Sequence, residues 1–356
     1  MIESPVVPAS RLPRLRLGIA GGGLITQVAH LPVLARLGDR FRVEALADPS
    51  ARVRAALQDR WDIPRTFPDP RGLLEHGALD ALLVSSPNAT HAPVVLDALE
   101  AGLDVLVEKP LCLVPADADA IVATARGRGR IVQVGYMKRF DADYERLLAD
   151  LPAAAALRRV ETTTIDPGIG QTLRPAGFVE PTDVPADAQA ALAHATAQQV
   201  AEALGSDDPV HRRAYSEAFL GALIHDVNAV LGLLDAMGVE VERVVDAAGA
   251  ADGSLASCVL ELSGGVRWSA AWLLAPGVPA FTEDIRLLAA DGCRALSFPA
   301  PYLDPVATYT RELEHFAACV HTRRPSRTPA EQGARDVHLL ADVYRATLDL
   351  RTALAS

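Results

Sequence analysis

Lys109 ends the stretch VLVEKPLC, behind the apolar run Val105–Val107 and Glu108 and ahead of Pro110. Runs of this kind are usually strands buried on both faces, whose ends meet water or a ligand. A lysine there is either a solvated loop charge, the commonest fate of the residue, or an acid–base group at the carboxyl edge of a parallel sheet. In the second case it would be placed to give or take a proton at a bound ligand. Partial burial would lower its pKa toward working pH. A second constellation is GIAGGGLIT, in which Gly21-x-Gly23-x-x-Thr26 approximates G-x-G-x-x-G/A behind Gly18. One glycine makes the tight turn. The next lets backbone N–H groups, with Leu24 and Ile25 opening the helix, approach a pyrophosphate. Thr26 is larger than the usual third residue and is expected to set the helix slightly further from the sheet. The third is Asp48 in VEALADPS. A carboxylate ending the second strand can accept both ribose hydroxyls of an adenosine and would repel a 2′-phosphate, which favours NAD over NADP. A helix cap before Pro49 is the plainer alternative, and Arg52 and Arg54 close by moderate the preference.

These groups require a scaffold that brings strand ends together. The first 135 or so residues alternate strand-like segments (15–20, 41–47, 81–86, 104–109, 130–135) with helix-length ones (24–37, 51–60, 92–101, 115–126), the pattern of βαβ units in a doubly wound parallel sheet. From LRRVETTTI (157–165) onward, strands come in runs instead. Ser263-Gly264-Gly265 and Asp291-Gly292 between adjacent runs are hairpin signals, so a mostly antiparallel sheet is expected. A helical stretch at 186–234 lies within this half, and two helices near 306–322 and 329–353 close the chain. The expected fold is therefore α/β: a flexible lead-in at 1–13, a Rossmann domain at 14–137, and an α+β domain with a large open sheet for substrate and assembly at 138–356.

Bulk properties narrow the function. At 356 residues the chain suits two domains, and its net charge of −11 argues against a non-specific nucleic-acid binder or a partner for anionic membranes. No apolar run approaches the ~18 residues that span a bilayer. The opening MIESPVVPASRLPR has three prolines and no apolar core of a signal peptide. Four scattered cysteines, with no CxxC and no histidine at zinc spacing, read as buried thiols in a reducing cytoplasm, with no metal site expected.

Taken together, GIAGGGLIT…HLP (18–32), ALADPS (45–50), SSPNATH (85–91), AGLDVLVEKPL (101–111), GYMKRFD (135–141) and the closing ELEHFAACVHTRRPSRTPAEQG (312–333) resemble the Gfo/Idh/MocA family of nicotinamide-dependent sugar and cyclitol dehydrogenases. The resemblance implies a Rossmann domain followed by an α/β domain with an open antiparallel sheet, and a nicotinamide held between them. It assigns Lys109 to the hydroxyl being oxidised, and gives Glu108 a choice between anchoring the backbone and contacting the cofactor. Ser86, Pro87, Asn88 and His91 would line the nicotinamide and its ribose, although His91 can equally cap or pack at a helix start.

The resemblance also marks FLGALIHDVNAVLGLL (219–234) as the helix whose histidine, here His225, accepts the proton or binds substrate, with Asn228 on the same face. The family's aspartate four residues earlier is replaced by Gly221, and Asp226 points about 100° away around the helix. Tyr136, Lys138, Arg139 and Asp166 are further substrate candidates; for Arg139 the choice is between a substrate anion and a domain-crossing ion pair. Trp268 and Trp272 share one strand face and suit sheet packing or a subunit interface. The expected activity is NAD(P)-dependent hydride transfer to or from a secondary alcohol or ketone of a sugar, cyclitol or related polyol. The alternatives are a lyase or glycosidase that recycles bound NAD, or a catalytically silent nucleotide-binding subunit. An open sheet with an apolar face needs a cover, so a homodimer or homotetramer is expected.

Overall fold

The computed structural model describes residues 13–168, 177–298 and 305–355. Its first half builds β1 (Leu15–Ala20), β2 (Phe41–Ala47), β3 (Arg65–Phe67), β4 (Ala81–Val84), β5 (Asp104–Glu108) and β6 (Val132–Gly135). All pair in parallel, in the order β3-β2-β1-β4-β5-β6. Strands β4, β5 and β6 are buried along their whole length, which is why they read as mostly apolar runs and not as regular alternation with polar residues. The helices between them are α1 (Leu31–Arg36), preceded by a π-helical turn at Thr26–His30, α2 (Ala51–Trp61), α3 (Pro70–Glu75), α4 (His91–Glu100) and α5 (Pro115–Arg128). The short β3 and α3 have no sequence counterpart among the expected elements, because three strand residues carry too little pattern to read.

Short α6 (Ala142–Ala149) leads into the second sheet, made of β7 (Leu157–Asp166), β8 (Val241–Gly249), β9 (Leu255–Leu262), β10 (Val266–Leu274), β11 (Thr282–Ala289) and β12 (Gly292–Phe298). The order is β12-β11-β7-β10-β9-β8, antiparallel except for the central β7–β10 pair. Ser263–Gly265 makes the β9–β10 connection, and Ala290 and Asp291 make the β11–β12 connection, with Gly292 opening β12. Between β7 and β8 the chain forms α7 (Ala186–Leu204), α8 (Val210–Arg213), a π-helix (Ala214–Leu223) and α9 (Ile224–Met237). The segment Val210–Met237 is apolar enough to span a membrane by composition, yet most of it is buried in protein.

Side chains alternate across the second sheet as its period of two demands. Trp268, Ala270 and Trp272 face inward with Cys258, Leu260 and Leu287, and the Trp268 indole N–H donates to Thr162 Oγ1 at 2.8 Å. The two tryptophans are therefore sheet packing. The expectation that an apolar sheet face awaits a second subunit is corrected: that face is covered by the π-helix, α9 and the closing helix of the same chain. The opposite face carries ion pairs of Arg159 with Glu161 and of Arg243 and Arg267 with Glu261. Cys293 is exposed, unlike the other three cysteines, and so departs from the expectation of buried thiols.

The closing helices, α10 (Pro305–Thr322) and α11 (Ala330–Ala355), return to the first sheet. Tyr309, Leu313 and Phe316 join the core of Leu17, Ile19 and Leu46. Between the two helices, Val134 N–H donates to Thr328 O at 2.8 Å. The chain thus ends packed on the domain in which it began, across the boundary expected near residue 137.

Candidate active site

Gly21 has φ +104°, and a Cβ there would lie 2.3 Å from the Ser85 carbonyl oxygen at the end of β4. Backbone conformation and close approach both require glycine at this position. Gly23 differs, since a Cβ there would meet nothing within 4 Å. Its carbonyl accepts from Gln27 N–H at 3.1 Å, so the amides of Leu24, Ile25 and Thr26 open the helix without intrahelical acceptors. Open space in front of such amides fits an anionic pyrophosphate, and it lies where the strand order switches between β1 and β4, the ligand crevice of doubly wound sheets. The Thr26 hydroxyl donates to Gly21 O at 2.7 Å, which folds its extra bulk onto the turn.

Asp48 is buried just past β2. Its Oδ2 accepts from Gly22 N–H and its Oδ1 from Ser50 N–H, both at 2.8 Å. The cap of α2 is Ser50, whose Oγ accepts from Val53 N–H at 3.0 Å, so Asp48 is not that helix's cap. Burial pushes the Asp48 carboxyl up, against its two amide bonds and the Arg54 charge.

At the end of β5, Lys109 is partly exposed and its Nζ donates to the carbonyl of Gly221 at 2.7 Å, across the two domains. Burial lowers its pKa and nearby Lys138 adds to the effect, opposed by Glu108. Glu108 itself turns inward: its Oε1 meets His30 Nε2 at 2.8 Å and its Oε2 accepts Lys109 N–H at 3.2 Å. Burial works against the Glu108 charge, but His30 and Lys109 prevail and hold the carboxyl below its ordinary value. Of its two expected roles, anchoring is the one the geometry carries.

His225 opens α9 behind the π-helix. π-Helical turns are rare and concentrate at functional sites. The residue is partly exposed, its Nδ1 is buried without a hydrogen-bond partner among the described residues, and burial together with the charges of Lys109 and Lys138 holds it well below the ordinary histidine value. It is thus a neutral imidazole beside an ammonium group, able to accept a proton.

The other sequence candidates divide. Ser86 and Asn88 are partly exposed at the crevice and Pro87 is exposed; the Ser86 hydroxyl pairs with Thr90 Oγ1 at 2.6 Å. His91 is buried, with Nδ1 2.7 Å from Pro110 O and Nε2 2.8 Å from Ser86 O. Both nitrogens face backbone carbonyls, one of which takes the ring N–H, so His91 is corrected from a cofactor contact to a buried brace between two loops. The Lys109–Pro110 peptide it meets is cis.

Lys138 is buried in an ion pair with Glu283 and lies 3.4 Å from Asp226, whose Oδ2 accepts from Thr164 Oγ1 at 2.8 Å. Burial and the Asp226 charge hold the Glu283 carboxyl well up despite Lys138. Lys138 is therefore corrected from a substrate contact to the centre of a buried acid cluster behind His225.

Arg139 is buried against Asn228 Oδ1 (3.4 Å) and Gln332 Oε1 (3.2 Å), over Gly232, where any Cβ would collide with the guanidinium. Asn228 donates to Asp336 Oδ2 at 2.7 Å, and Tyr136 is buried beside the same carboxylate. Tyr136, Arg139 and Asn228 form an interior network and do not line the crevice. Their expected substrate roles are corrected, because all three are buried and the Arg139 guanidinium and the Asn228 amide already bond inside the protein. Asp166 is partly exposed and accepts Gly168 N–H at 2.8 Å.

Sequence reasoning missed three contributors: His30, Glu283 and the Gly221 carbonyl. His30 lies in the HLP stretch that carried the resemblance. Glu283 and a backbone oxygen give no local signal.

Residues 15–136 match the family described as GFO_IDH_MocA, an oxidoreductase family with an NAD-binding Rossmann fold. Inositol 2-dehydrogenase 1 of Saccharopolyspora erythraea is 37% identical over 144 residues, 40% of this chain and 42% of that protein. An inositol 2-dehydrogenase of Paracoccus denitrificans is 37% identical over 135 residues, 37% of this chain and 40% of the relative. The chain thus spans about two fifths of the length of these relatives. Among solved structures, myo-inositol 2-dehydrogenase from Lactobacillus plantarum aligns with TM-score 0.73 at 14% identity, over 95% of this chain and 98% of that one. Scyllo-inositol dehydrogenase from Lactobacillus casei with bound NAD(H) and scyllo-inositol gives 0.71 at 16%, over 95% and 98%. At such identities the likeness is one of fold.

Proposed function

Over residues 15–136 the chain belongs to the Gfo/Idh/MocA oxidoreductase family, and from that premise we propose that the protein is an NAD-dependent oxidoreductase acting on a secondary alcohol, or the matching ketone, of a cyclitol or related polyol. The observation that carries this reading is the Lys109 ammonium at the crevice, held by the Gly221 carbonyl next to a neutral His225. When bound, the nicotinamide takes up or returns the hydride. The amides after Gly23 hold its pyrophosphate and Asp48 its adenosine ribose, with Leu24, Ile25, Ser86, Pro87 and Asn88 along the cofactor's path. Lys109 donates to the substrate oxygen and stabilises its developing negative charge, while His225 accepts the hydroxyl proton.

Gly221 supports a specific reading of the chain's departure from the family. A carbonyl dipole orients the ammonium without the full charge of a carboxylate, which leaves the Lys109 pKa depressed by burial and by Lys138. Residues 14–137 form the cofactor half in this reading and 138–356 the substrate half. The charged outer face of the second sheet is the surface for a homo-oligomer, to be checked by light scattering.

The test is to supply NAD with a panel of inositols and sugars and follow NADH. Net NADH accumulation with a polyol is the expected result. Turnover without net NADH would favour a lyase or glycosidase that recycles its cofactor. Dinucleotide binding with no turnover of any polyol would favour a silent subunit.

A further inference from the structure

The segment 177–184, which follows β7 in the second domain, lies against the cofactor half at three points. Gln27, on the helix after the glycine turn, exchanges two hydrogen bonds with Val179, donating to its carbonyl at 3.1 Å and accepting its N–H at 2.9 Å. The same Gln27 amide donates to Gly22 O at 2.8 Å, so the segment is tied directly to the glycine turn. Arg60 donates to Gly177 O at 3.1 Å. The third point is Asp183. Its Oδ1 accepts the Ser50 hydroxyl in a short hydrogen bond and its Oδ2 accepts Arg52 N–H at 2.9 Å.

Ser50 therefore has a carboxylate on each side: Asp48 on its N–H and Asp183 on its hydroxyl. The two acids come from different domains, more than a hundred residues apart in sequence. The Ser50 and Arg52 bonds hold the Asp183 carboxyl below its ordinary value, and its charge adds to the forces raising Asp48.

Resting on the reading above that Asp48 faces the adenosine ribose, we propose that Asp183 is a second specificity-determining residue for the cofactor. An anion attached to the 2′-oxygen would emerge beside Asp48, toward Ser50 and the α2 residues that follow it. Two donors that could receive it, the Ser50 hydroxyl and the Arg52 N–H, are already spent on Asp183. A 2′-phosphate thus meets two negative charges with the Ser50 hydroxyl and the Arg52 N–H already taken, which leaves the Arg52 and Arg54 side chains to receive it, whereas a 2′-hydroxyl loses nothing. Arg52, which taken alone lends support to a phosphorylated cofactor, has its backbone engaged by the protein's own carboxylate.

The experiment is fluorescence titration of the full-length protein with NADH and with NADPH, which reads binding and not turnover, in wild type and in Asp183→Ala, Asp183→Glu and Asp48→Ala. Wild type should bind NADH more tightly. Asp183→Ala should tighten NADPH on the order of tenfold, the scale of one partly screened charge pair, with NADH nearly unchanged. Asp183→Glu, which keeps the charge, should retain the wild-type preference. Asp183 is exposed, so unchanged circular dichroism and melting are expected in both Asp183 variants. An unchanged NADPH/NADH ratio in Asp183→Ala, with the ratio relaxed in Asp48→Ala, would overturn the role of Asp183 and leave the cofactor reading standing. Binding of neither dinucleotide by wild type would overturn both.

Discussion

His225 and Asn228 are three residues apart on one helix, less than a full turn, yet they belong to different worlds. His225 reaches the crevice with a buried nitrogen that has no partner among the described residues, beside a lysine whose Nζ meets a backbone carbonyl. Asn228 is fully committed: it donates to Asp336 and meets the Arg139 guanidinium, with Gln332 on the far side. Both regions hold a cation, an imidazole or amide, and acids nearby. The difference lies in access: Tyr136 Oη and Arg139 Nε also lack a partner among the described residues but are sealed inside the protein, whereas Lys109 and His225 are partly exposed. Buried polar groups that satisfy one another specify packing, whereas groups left with capacity at a crevice are available to a substrate.

The sharpest way to break this comparison is to truncate one cation from each region. Lys109→Ala should lower kcat by a factor on the order of 10²–10⁴ while leaving melting temperature and NADH affinity close to wild type. Near-parental turnover in that variant would remove Lys109 from the mechanism. Arg139→Met should do the reverse. It strips a buried guanidinium from Asn228 and leaves Asp336 less compensated, a loss of about 3 kcal/mol in denaturant unfolding, with kcat per folded molecule retained.

Acid titration sharpens the contrast. Burial pushes the Asp336 carboxyl up from 3.8 to about 6. A raised native pKa means the unfolded chain loses its proton first, so stability falls as pH rises from about 4 to about 6 and is constant above. The size is roughly 3 kcal/mol. Melting temperatures of wild type and Asp336→Asn across that range should diverge in this direction. His225 has the opposite sign, because its native pKa is depressed and the unfolded chain takes up the proton first. Its contribution to stability is complete above the ordinary histidine value of 6.5 and is lost as pH falls below it. For the same reason the acid limb of kcat/KM should lie below pH 6.5. An acid limb at or above 6.5 that vanishes in His225→Asn would contradict the environment described.

The smallest effect is expected from restoring a carboxylate in the crevice. Gly221→Asp would favour the Lys109 ammonium and so move an alkaline limb of the rate profile to higher pH. Its Cβ would stand 3.1 Å from Ser216 O, a contact that needs only a few tenths of an ångström of yielding. An unmoved limb with normal folding would show that position 221 does not tune Lys109.

The sequence by itself determined the parts whose information is local. The parallel sheet is legible because β4, β5 and β6 are buried on both faces and therefore mostly apolar, with Asp104, Glu108 and Gln133 as the exceptions. The glycine turn is legible because a backbone at φ +104° against Ser85 O tolerates nothing else. Lys109 at the end of β5 follows from both, and the hairpins follow from their glycines. Tertiary structure alone decided where polar side chains spend their hydrogen bonds. His91, Lys138, Arg139 and Asn228 carry the residue types of a substrate pocket. Each is turned inward by at least one partner between 19 and 193 residues away in sequence, which no spacing rule reveals. The Gly221 carbonyl and Asp183 reach the cofactor half only because the second domain folds back across it. A residue's type fixes what it can bond, and only the fold decides whether that capacity is already used.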